Sequence, residues 1–388
     1  MPDGSETQVI KVLGDIDEIS AADWNCCAGN DDPFVSHAFL CAMEQSGSVG
    51  SEAGWLPQHL VLEDENTAPL AVVPLYLKNN SYGEYVFDWG WADAFHRAGG
   101  QYYPKLQAAV PFTPVTGRRI LVRQDLAPEK QRAIQTTMIA GLVQLAQRLE
   151  VSSFHITFAS EEEWQLCGEL GMLQRTDRQF HWLNHGFGSF DDFLGALSSR
   201  KRKMIRKERR AVDQHDVNIR TLTGPEIEPR HWDAFYRFYR DTSDKKWGQA
   251  YLNRNFFTRL GETMAGKVLL IMAEQDGQCV GGALNLIGGD TLYGRYWGCL
   301  ENFKFLHFEI CYYQAIDFAI KNGLARVEAG AQGGHKLQRG YLPHPTYSAH
   351  WIADSGFREA VARFLREETE AVHEEIDSLS DHSPFKRS

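Results

Sequence analysis

The sequence has few of the features that would place a protein in a membrane or in an oxidising compartment. It contains no run of eighteen apolar residues, so no membrane span is predicted. Its first thirty residues are acidic and polar, without the basic start and apolar run of a secretory signal. The seven cysteines are odd in number and include no Cys-x-x-Cys pair, which disfavours a disulfide framework or a cysteine zinc site. We therefore expect a cytoplasmic protein.

Several common catalytic signatures are also missing. The chain has no Gly-x-Ser-x-Gly motif, no Gly-x-Gly-x-x-Gly dinucleotide fingerprint and no cysteine–histidine protease signature. Nucleophilic serine chemistry and dinucleotide chemistry are therefore disfavoured. At 388 residues, with 43% hydrophobic and 23% charged residues, the chain is typical of a soluble globular protein. It is too long for one ordinary hydrophobic core, so two domains are predicted.

The chain contains one internal sequence repeat. Residues 60–86 and 271–297 align without a gap at an offset of 211. Each segment is predicted to form an apolar strand, an acidic turn, a second strand, a loop and a third strand. The third strand would open with Tyr-Gly-x-Tyr in both copies, at Tyr82 and at Tyr293. The pattern indicates an internal duplication, although literal identity is sparse and chance is the alternative.

The segments after the two copies match as well. The first copy is followed by a helical pattern at 129–149 and a short strand at 152–158. The second is followed by a predicted helix at 308–322, which ends before Gly323, and a strand at 325–330. Three antiparallel strands, a helix and a strand form a mixed α/β unit. We predict two such units in tandem, at 1–185 and 186–388.

A basic block opens the second half. Eight of the eleven residues from Arg200 to Arg210 are Lys or Arg, whereas the whole chain has a net charge of -11. The spacing of Leu197, Met204 and Ala211, with Ile205 and Val212 beside them, predicts a helix with a narrow apolar stripe. Its other faces would be basic and would bind one phosphate-rich partner; the alternative is a solvated helix. The cations expected to face such a ligand are Arg202, Lys203, Arg206 and Arg210.

A glycine-rich stretch follows the last predicted strand, at 328–351. It carries His335, the side chain most suited to proton transfer near neutral pH, together with Lys336 and Arg339, which could bind phosphate or an oxyanion. The alternative is a rigid loop whose polar groups are satisfied internally. The histidines here lack helical metal-ligand spacing, so no metal is predicted.

A second unusual stretch, at 87–120, is rich in aromatic residues and has no regular period. It is typical of a long structured loop, and such loops are often binding surfaces. Tyr102, Tyr103 and Lys105 are candidate substrate contacts. The alternative is that these aromatic residues pack a seam between domains.

Three stretches of the chain are distinctive: "YYPKLQAAVPFTPVTGRRIL", "LHFEICYYQAIDFAI" and "EAGAQGGHKLQRGYLPHPTYSAHW". They resemble the FemAB-like predicted N-acyltransferases, which have been labelled peptidoglycan biosynthesis or recognition proteins. The resemblance extends over residues 30 to 375 and implies two GNAT-like units in tandem. Fem-type relatives move amino acids from aminoacyl-tRNA to a cell-wall precursor. This chain lacks their long coiled-coil insertion, and its junction at 298–309 lacks the usual acetyl-CoA motif of GNAT enzymes.

The resemblance implies that an amine attacks an ester or thioester carbonyl. The donor would be an aminoacyl-tRNA, an acyl-CoA or an acyl-carrier protein, and no cofactor would be tightly bound. Glu309 or His335 would act as the base, and Lys336 and Arg339 would hold the charged donor or intermediate. Tyr296 and Trp297 would line the acceptor groove. The alternative is a non-catalytic binding module that recognises a cell-wall precursor or a phosphate-bearing ligand.

Overall fold

The computed structural model describes residues 9–246 and 250–386. The chain forms two compact units. Unit 1 comprises Met1–Asp177 with Thr346–Glu370, and unit 2 comprises Arg178–Pro345 with Ala371–Ser388. This division differs from the contiguous halves that we predicted, because the chain passes between units within two long strands and again within the helix Ser355–Asp381. The strand that starts at Leu173 ends in unit 2, and the strand that starts at Leu342 ends in unit 1.

Helices and strands are interspersed along the described residues. The strands are β1 Ile10–Leu13, β2 Trp55–Pro57, β3 His59–Glu63, β4 Pro69–Val73, β5 Leu75–Lys78, β6 Lys105–Ala108, β7 Leu121–Val122, β8 Ser153–Ala159, β9 Leu173–Leu183, β10 Asn218–Thr223, β11 Val268–Gln275, β12 Gln278–Gly288, β13 Thr291–Cys299, β14 Arg326–Glu328 and β15 Leu342–Ile352. The α-helices are α1 Ala21–Ala28, α2 His37–Gln45, α3 Trp89–Arg97, α4 Pro128–Arg148, α5 Glu161–Glu169, α6 Phe190–Ala196, α7 Ser199–Asp213, α8 Pro229–Lys246, α9 Arg254–Met264, α10 Leu306–Phe308, α11 Gln314–Lys321 and α12 Ser355–Asp381. A π-helical turn at Glu309–Tyr313 joins α10 to α11, and a 3-10 helix covers Gly334–Arg339.

In unit 1, β5 pairs antiparallel with β6, and β6 pairs parallel with β8. The helix α4 covers one face of these strands, where Met138 and Leu142 pack with Leu106 and Phe154 in a buried core. The predicted helix at 129–149 and strand at 152–158 are therefore confirmed.

Unit 2 repeats this arrangement. Its strands lie in the order β10, β11, β12, β13, β14, β9, and only β13 and β14 run parallel. The π-helical turn and α11 pack on one face, against Leu292, Val327 and Trp182. The helix α8 lies on the other face, where a Cβ added to Gly298 would be only 2.3 Å from the carbonyl oxygen of Phe238. A side chain at residue 298 would therefore push α8 away from the sheet.

One strand of the predicted repeat is wrong. Residues 293–296 lie in β13 as expected, but residues 82–85 form turns and no strand. Gly83 and Tyr85 both have positive φ, and this bend carries the Glu84 side chain inward to the buried ammonium of Lys105, 2.7 Å away. The place of the third strand is taken by β6, which is antiparallel to β5 and parallel to β8, just as β13 is antiparallel to β12 and parallel to β14.

The other face of the unit 1 sheet is polar and buried. Lys78 and Lys105 lie directly opposite each other on β5 and β6, and both are fully buried. Lys105 binds the carboxylates of Glu84 and Asp88 and donates to Ser81 Oγ at 2.9 Å. Desolvation by burial raises the pKa of Glu84 to about 7 despite the neighbouring Lys105. The two buried carboxylates depend on the ammonium groups of Lys105 and Lys78, the second of which lies 3.8 Å from Glu84 Oε1.

No helix in residues 9–246 and 250–386 is long and apolar enough to cross a membrane.

Replacing Lys105 with Met should destabilise unit 1. The change removes the ammonium that both buried carboxylates bind and leaves Glu84 with Lys78, 3.8 Å away. Breaking a buried ion pair costs on the order of 3–5 kcal/mol in the free energy of unfolding. The matched control is Lys11→Met, which breaks the exposed Lys11–Glu63 pair and should cost at most about 1 kcal/mol. Urea unfolding at neutral pH, followed by tryptophan fluorescence, compares the two. Equal urea midpoints for Lys105→Met and Lys11→Met would contradict a stabilising role for the buried Lys105.

Candidate functional site

Two neighbouring strands of unit 2 part at a defined point. Within residues 250–386, β14 pairs with β13 only from Thr291 to Tyr293, which lies opposite Glu328. The strand β13 then continues for six residues to Cys299, paired on its other side with β12. Arg295 is an extra residue in that ladder, since Leu284 faces Tyr296 and Asn285 faces Gly294. Such a bulge re-aims the backbone, and backbone N–H groups along a parted strand are suited to bind an oxyanion.

The corresponding place in unit 1 is filled by the chain itself. The pairing of β6 with β8 ends at Ala108 and Ile156. Beyond it, Gly117 N donates to Phe158 O at 3.0 Å, and the fully buried Arg119 donates from Nε to Thr157 O at 3.1 Å. Two backbone carbonyls of β8 beyond that pair are thus already bound by the chain itself. The candidate site therefore lies in unit 2.

A cavity of about 450 Å³ lies at the end of β13. The ring of His307 is 5.2 Å from that of Trp297 and 5.9 Å from that of His335, so aromatic contacts connect the cavity to the glycine-rich stretch. The cavity is lined by Lys245, Trp297, Cys299, Leu300, Glu301, Asn302, Phe303 and His307.

His335 is half-buried, and its Nε2 lies 3.0 Å from the hydroxyl of Tyr312. Burial lowers the pKa of His335, and the nearby cations Arg339 and Lys336 lower it further. The imidazole is therefore neutral at pH 7 and can accept a proton. Gly333 permits this position, since its φ is +98° and an added Cβ would lie 2.5 Å from His335 Cε1.

Glu309 opens the π-helical turn and is buried. Its Oε1 accepts from Arg209 at 2.9 Å and from Gln314 at 2.8 Å. Its Oε2 has no hydrogen-bond partner among the residues described. Burial raises the pKa of Glu309, although Arg209 opposes the shift. Turns of π-helix often mark functional sites, and this one sets a carboxylate with a free oxygen beside the candidate site.

Lys336 is buried and closes the end of β14. Its Nζ donates to the carbonyl oxygen of Ala329 and, at 3.1 Å, to that of Gly330. Burial lowers the pKa of Lys336 to about 8. The side chain fixes the backbone just past the point where the strands part.

Arg339 is buried and its charge is already matched. It donates to both oxygens of Glu208 at 2.8 Å and to His335 O at 2.8 Å, and it lies 3.5 Å over the ring of Phe308. Glu208 also accepts from the hydroxyl of Tyr313. That Arg339 binds the donor stays a prediction, and here Arg339 positions His335. Our sequence reasoning assigned no role to Glu208, although it is the one acid in the basic block.

The basic block forms α7, as predicted. Of the predicted apolar stripe, Ile205 and Val212 are buried, Met204 and Ala211 are half-buried, and Leu197 is buried just before the helix. Glu208 is also buried on this helix, because it turns inward to Arg339. Of the predicted ligand-facing cations, Arg202 is half-buried and Lys203, Arg206 and Arg210 are exposed; Arg206 pairs with Asp191 at 3.0 Å.

Two further sets of predicted site residues do not line a common site. Tyr296 and Trp297 are successive residues of β13 and therefore point to opposite faces. Tyr296 contacts Tyr239 of α8, 5.1 Å between ring centroids, and only Trp297 lines the cavity. In unit 1, Tyr102 donates to Asp88 at 2.7 Å and the Tyr103 hydroxyl is 2.7 Å from Ser81 Oγ. For Tyr102, Tyr103 and Lys105, substrate contact stays a prediction, and it would require them to leave the buried network.

The described ranges, 9–246 and 250–386, contain no group of three or more His, Cys, Asp or Glu side chains placed to hold a metal ion.

Solved structures share this fold at low sequence identity. FemX aligns with a TM-score of 0.56 at 10% identity, over 89% of this chain and 98% of that one. The C-terminal domain of a candidate lysylphosphatidylglycerol synthetase from Agrobacterium fabrum aligns with a TM-score of 0.53 at 8% identity, over 89% and 96%. L-PGS from Bacillus licheniformis aligns with a TM-score of 0.50 at 9% identity, over 87% and 98%. These alignments show the fold, and the predicted mixed α/β fold is confirmed.

A search of curated proteins found no match. The FemAB-like family model, described as peptidoglycan biosynthesis/recognition, matches residues 15–387, nearly the whole chain. The chain therefore belongs to the FemAB-like family.

Proposed function

We propose that this protein is an N-acyltransferase that moves an acyl or aminoacyl group from an activated ester or thioester to an amine. The observation that carries the proposal is the parting of β13 and β14 after Tyr293 and Glu328, beside a cavity and a neutral histidine. Acyl transfer needs an oriented carbonyl, donors for the oxyanion and a proton acceptor for the amine. Unit 2 brings the three requirements together.

The reaction can be written on these residues. The amine nitrogen attacks the carbonyl carbon, and the oxyanion is held by backbone N–H groups of β13 beyond Tyr293. His335 takes the proton that the nitrogen loses as the amide forms and gives it to the departing oxygen or sulfur. Glu309 is the second candidate for this proton. Lys336 holds the end of β14, and its ammonium adds positive charge near the intermediate.

The donor we favour is an aminoacyl-tRNA. Five cations of α7 are exposed, at Arg200, Lys203, Arg206, Lys207 and Arg210, while residues outside the block carry an excess of acids. One basic ridge on an acidic protein suits a polyanion better than a small anion. Acyl-CoA and acyl-carrier protein are the alternatives. The family description directs the first acceptor test to an amine of a peptidoglycan precursor.

The purified protein should transfer label from an aminoacyl-tRNA to such an amine. His335→Gln and Glu309→Gln test the proton acceptor. Whichever substitution removes the true proton acceptor should lower turnover by about 10²-fold or more, because general base catalysis typically contributes that much. His373→Gln, an exposed histidine on α12, is the control and should match the wild type. Wild-type turnover in both site variants would remove these side chains from the mechanism.

The exposed face of α7 should contribute to donor affinity through charge. Reversing two exposed cations, Lys203→Glu with Arg210→Glu, should raise the Kd for tRNA steeply at low salt. The effect should shrink as salt rises, since screened contacts lose their reach. The slope of log K against log salt should fall by roughly 1.5–2. Filter binding of tRNA over a range of salt concentrations measures this.

The control for that experiment reverses two exposed arginines of α12, Arg363→Glu with Arg366→Glu. It makes the same change in net charge away from α7. Equal loss of affinity in both double variants would mean that net charge alone acts. If the Kd for tRNA changes neither with salt nor with either double substitution, α7 is only a solvated helix and does not bind the donor.

A further inference from the structure

A buried histidine lies outside the machinery described above. His181 of β9 is only 3% exposed, and neither of its ring nitrogens has a hydrogen-bond partner in the described part of the chain. Native proteins rarely bury a polar side chain without such a partner, so each case requires an explanation. A group that arrives only with a substrate is one explanation.

The position of His181 is specific. It lies directly opposite Glu328 of β14, which in turn lies opposite Tyr293 of β13, the last pair before the strands part. The three side chains therefore form one row across three strands. Their neighbours Trp182, Val327 and Leu292 belong to the core on the α11 face. Because side chains alternate, His181 and Glu328 lie on the opposite face from His335.

The charges around His181 favour a neutral ring with an acid beside it. Its Nε2 is 4.0 Å from Glu328 Oε2, and its ring stacks on His344 with centroids 4.5 Å apart. Burial lowers the pKa of His181, and His344, Arg326 and Lys336 lower it further. The groups that face it are thus Tyr293 of β13, Glu328 and Arg326 of β14, His344 of β15 and Lys336 of the 3-10 helix. The ring is therefore neutral and resists protonation, and the Glu328 carboxylate is the neighbouring group that would stabilise its charged form.

The proposed function leaves one proton without an acceptor. An alkyl amine has a pKa near 10 and reaches the enzyme as an ammonium ion, which has no lone pair for attack. It must lose one proton before attack and a second as the amide forms. His335 can pass the second proton to the departing oxygen or sulfur. The first proton needs a separate acceptor.

We propose that His181 and Glu328 form the site for the acceptor's ammonium group, and that His181 removes its first proton. Glu328 attracts the cation, and the proton moves from the ammonium nitrogen to His181 Nε2 and then to solvent. The nitrogen lone pair that results attacks the carbonyl in the gap between the parted strands, where His335 on the other face takes the second proton from the nitrogen. The substrate class is therefore a primary alkyl amine that is protonated in solution. This inference rests on the proposed function.

The test is His181→Phe, which keeps a ring against His344 and removes only the two nitrogens. Turnover at pH 7 should fall by about 10²-fold or more. The defect should shrink as the pH approaches the pKa of the amine, because the free amine then forms in solution. The melting temperature should not fall, since the substitution removes a buried polar group that lacks a partner. Should this variant fail to fold, His181→Asn replaces it, with the same turnover expectations.

The matched control is His231→Phe. His231 is also buried in unit 2, and its Nε2 is 3.9 Å from Glu274, but it lies at α8 and away from the parted strands. Its turnover should match the wild type at every pH. If wild-type protein transfers nothing to any amine, the proposed function fails and this inference with it. If the wild type transfers and His181→Phe matches it, or is reduced equally at all pH values, only this inference is overturned.

Discussion

A single buried carboxylate, Glu208, joins the three segments that surround the candidate site. It is the one acid of the basic block, and it binds Arg339 of the 3-10 helix and Tyr313 of the π-helical turn. Arg339 in turn holds the backbone of His335. Breaking a buried ion pair of this kind leaves an uncompensated charge, so α7, the π-helical turn and the 3-10 helix depend on one another. The exposed cations of α7 are thereby fixed relative to the site.

The two units share a topology but differ at the place that matters for chemistry. In each, a parallel pair of strands ends early and leaves carbonyl or amide groups beyond it. Unit 1 fills that place with Gly117 and Arg119, and it adds a buried network of lysines and carboxylates on the sheet. Unit 2 leaves β13 to run on beside a cavity. A shared topology therefore does not bring a shared site, because a few side chains decide whether the parted strands stay accessible.

Much of the fold was predictable from the sequence, because long helices and apolar strands repeat with clear periods. The helix α4, the strand β8 and the helix α7 followed from such periods. The turn at Tyr82–Tyr85 did not, since its alternating residues suit a strand, and only the buried Lys105 explains why Glu84 bends inward. The division of β9 and β15 between the two units likewise leaves no mark in the hydrophobic period of the sequence. Contiguous halves were the natural prediction.

The candidate site was predictable only in part. His335, Lys336 and Glu309 stood out as titratable residues beside glycines or at a helix start. Glu208 carried a signal, as the lone acid among eight cations, but its partner Arg339 is 131 residues away. The sequence around His181 gave no such signal, because Phe-His-Trp in a strand looks like an ordinary buried segment. Its missing hydrogen-bond partners become visible only when the strands are paired.

The central claim is that the parted strands of unit 2 hold the reaction centre. Backbone hydrogen exchange with and without an amide-linked, non-transferable analogue of the aminoacyl-tRNA 3′ end tests it most directly. Binding should slow exchange in residues 294–299 of β13 and leave residues 109–120 of unit 1 unchanged. Protection at 109–120 without any at 294–299 would contradict the claim.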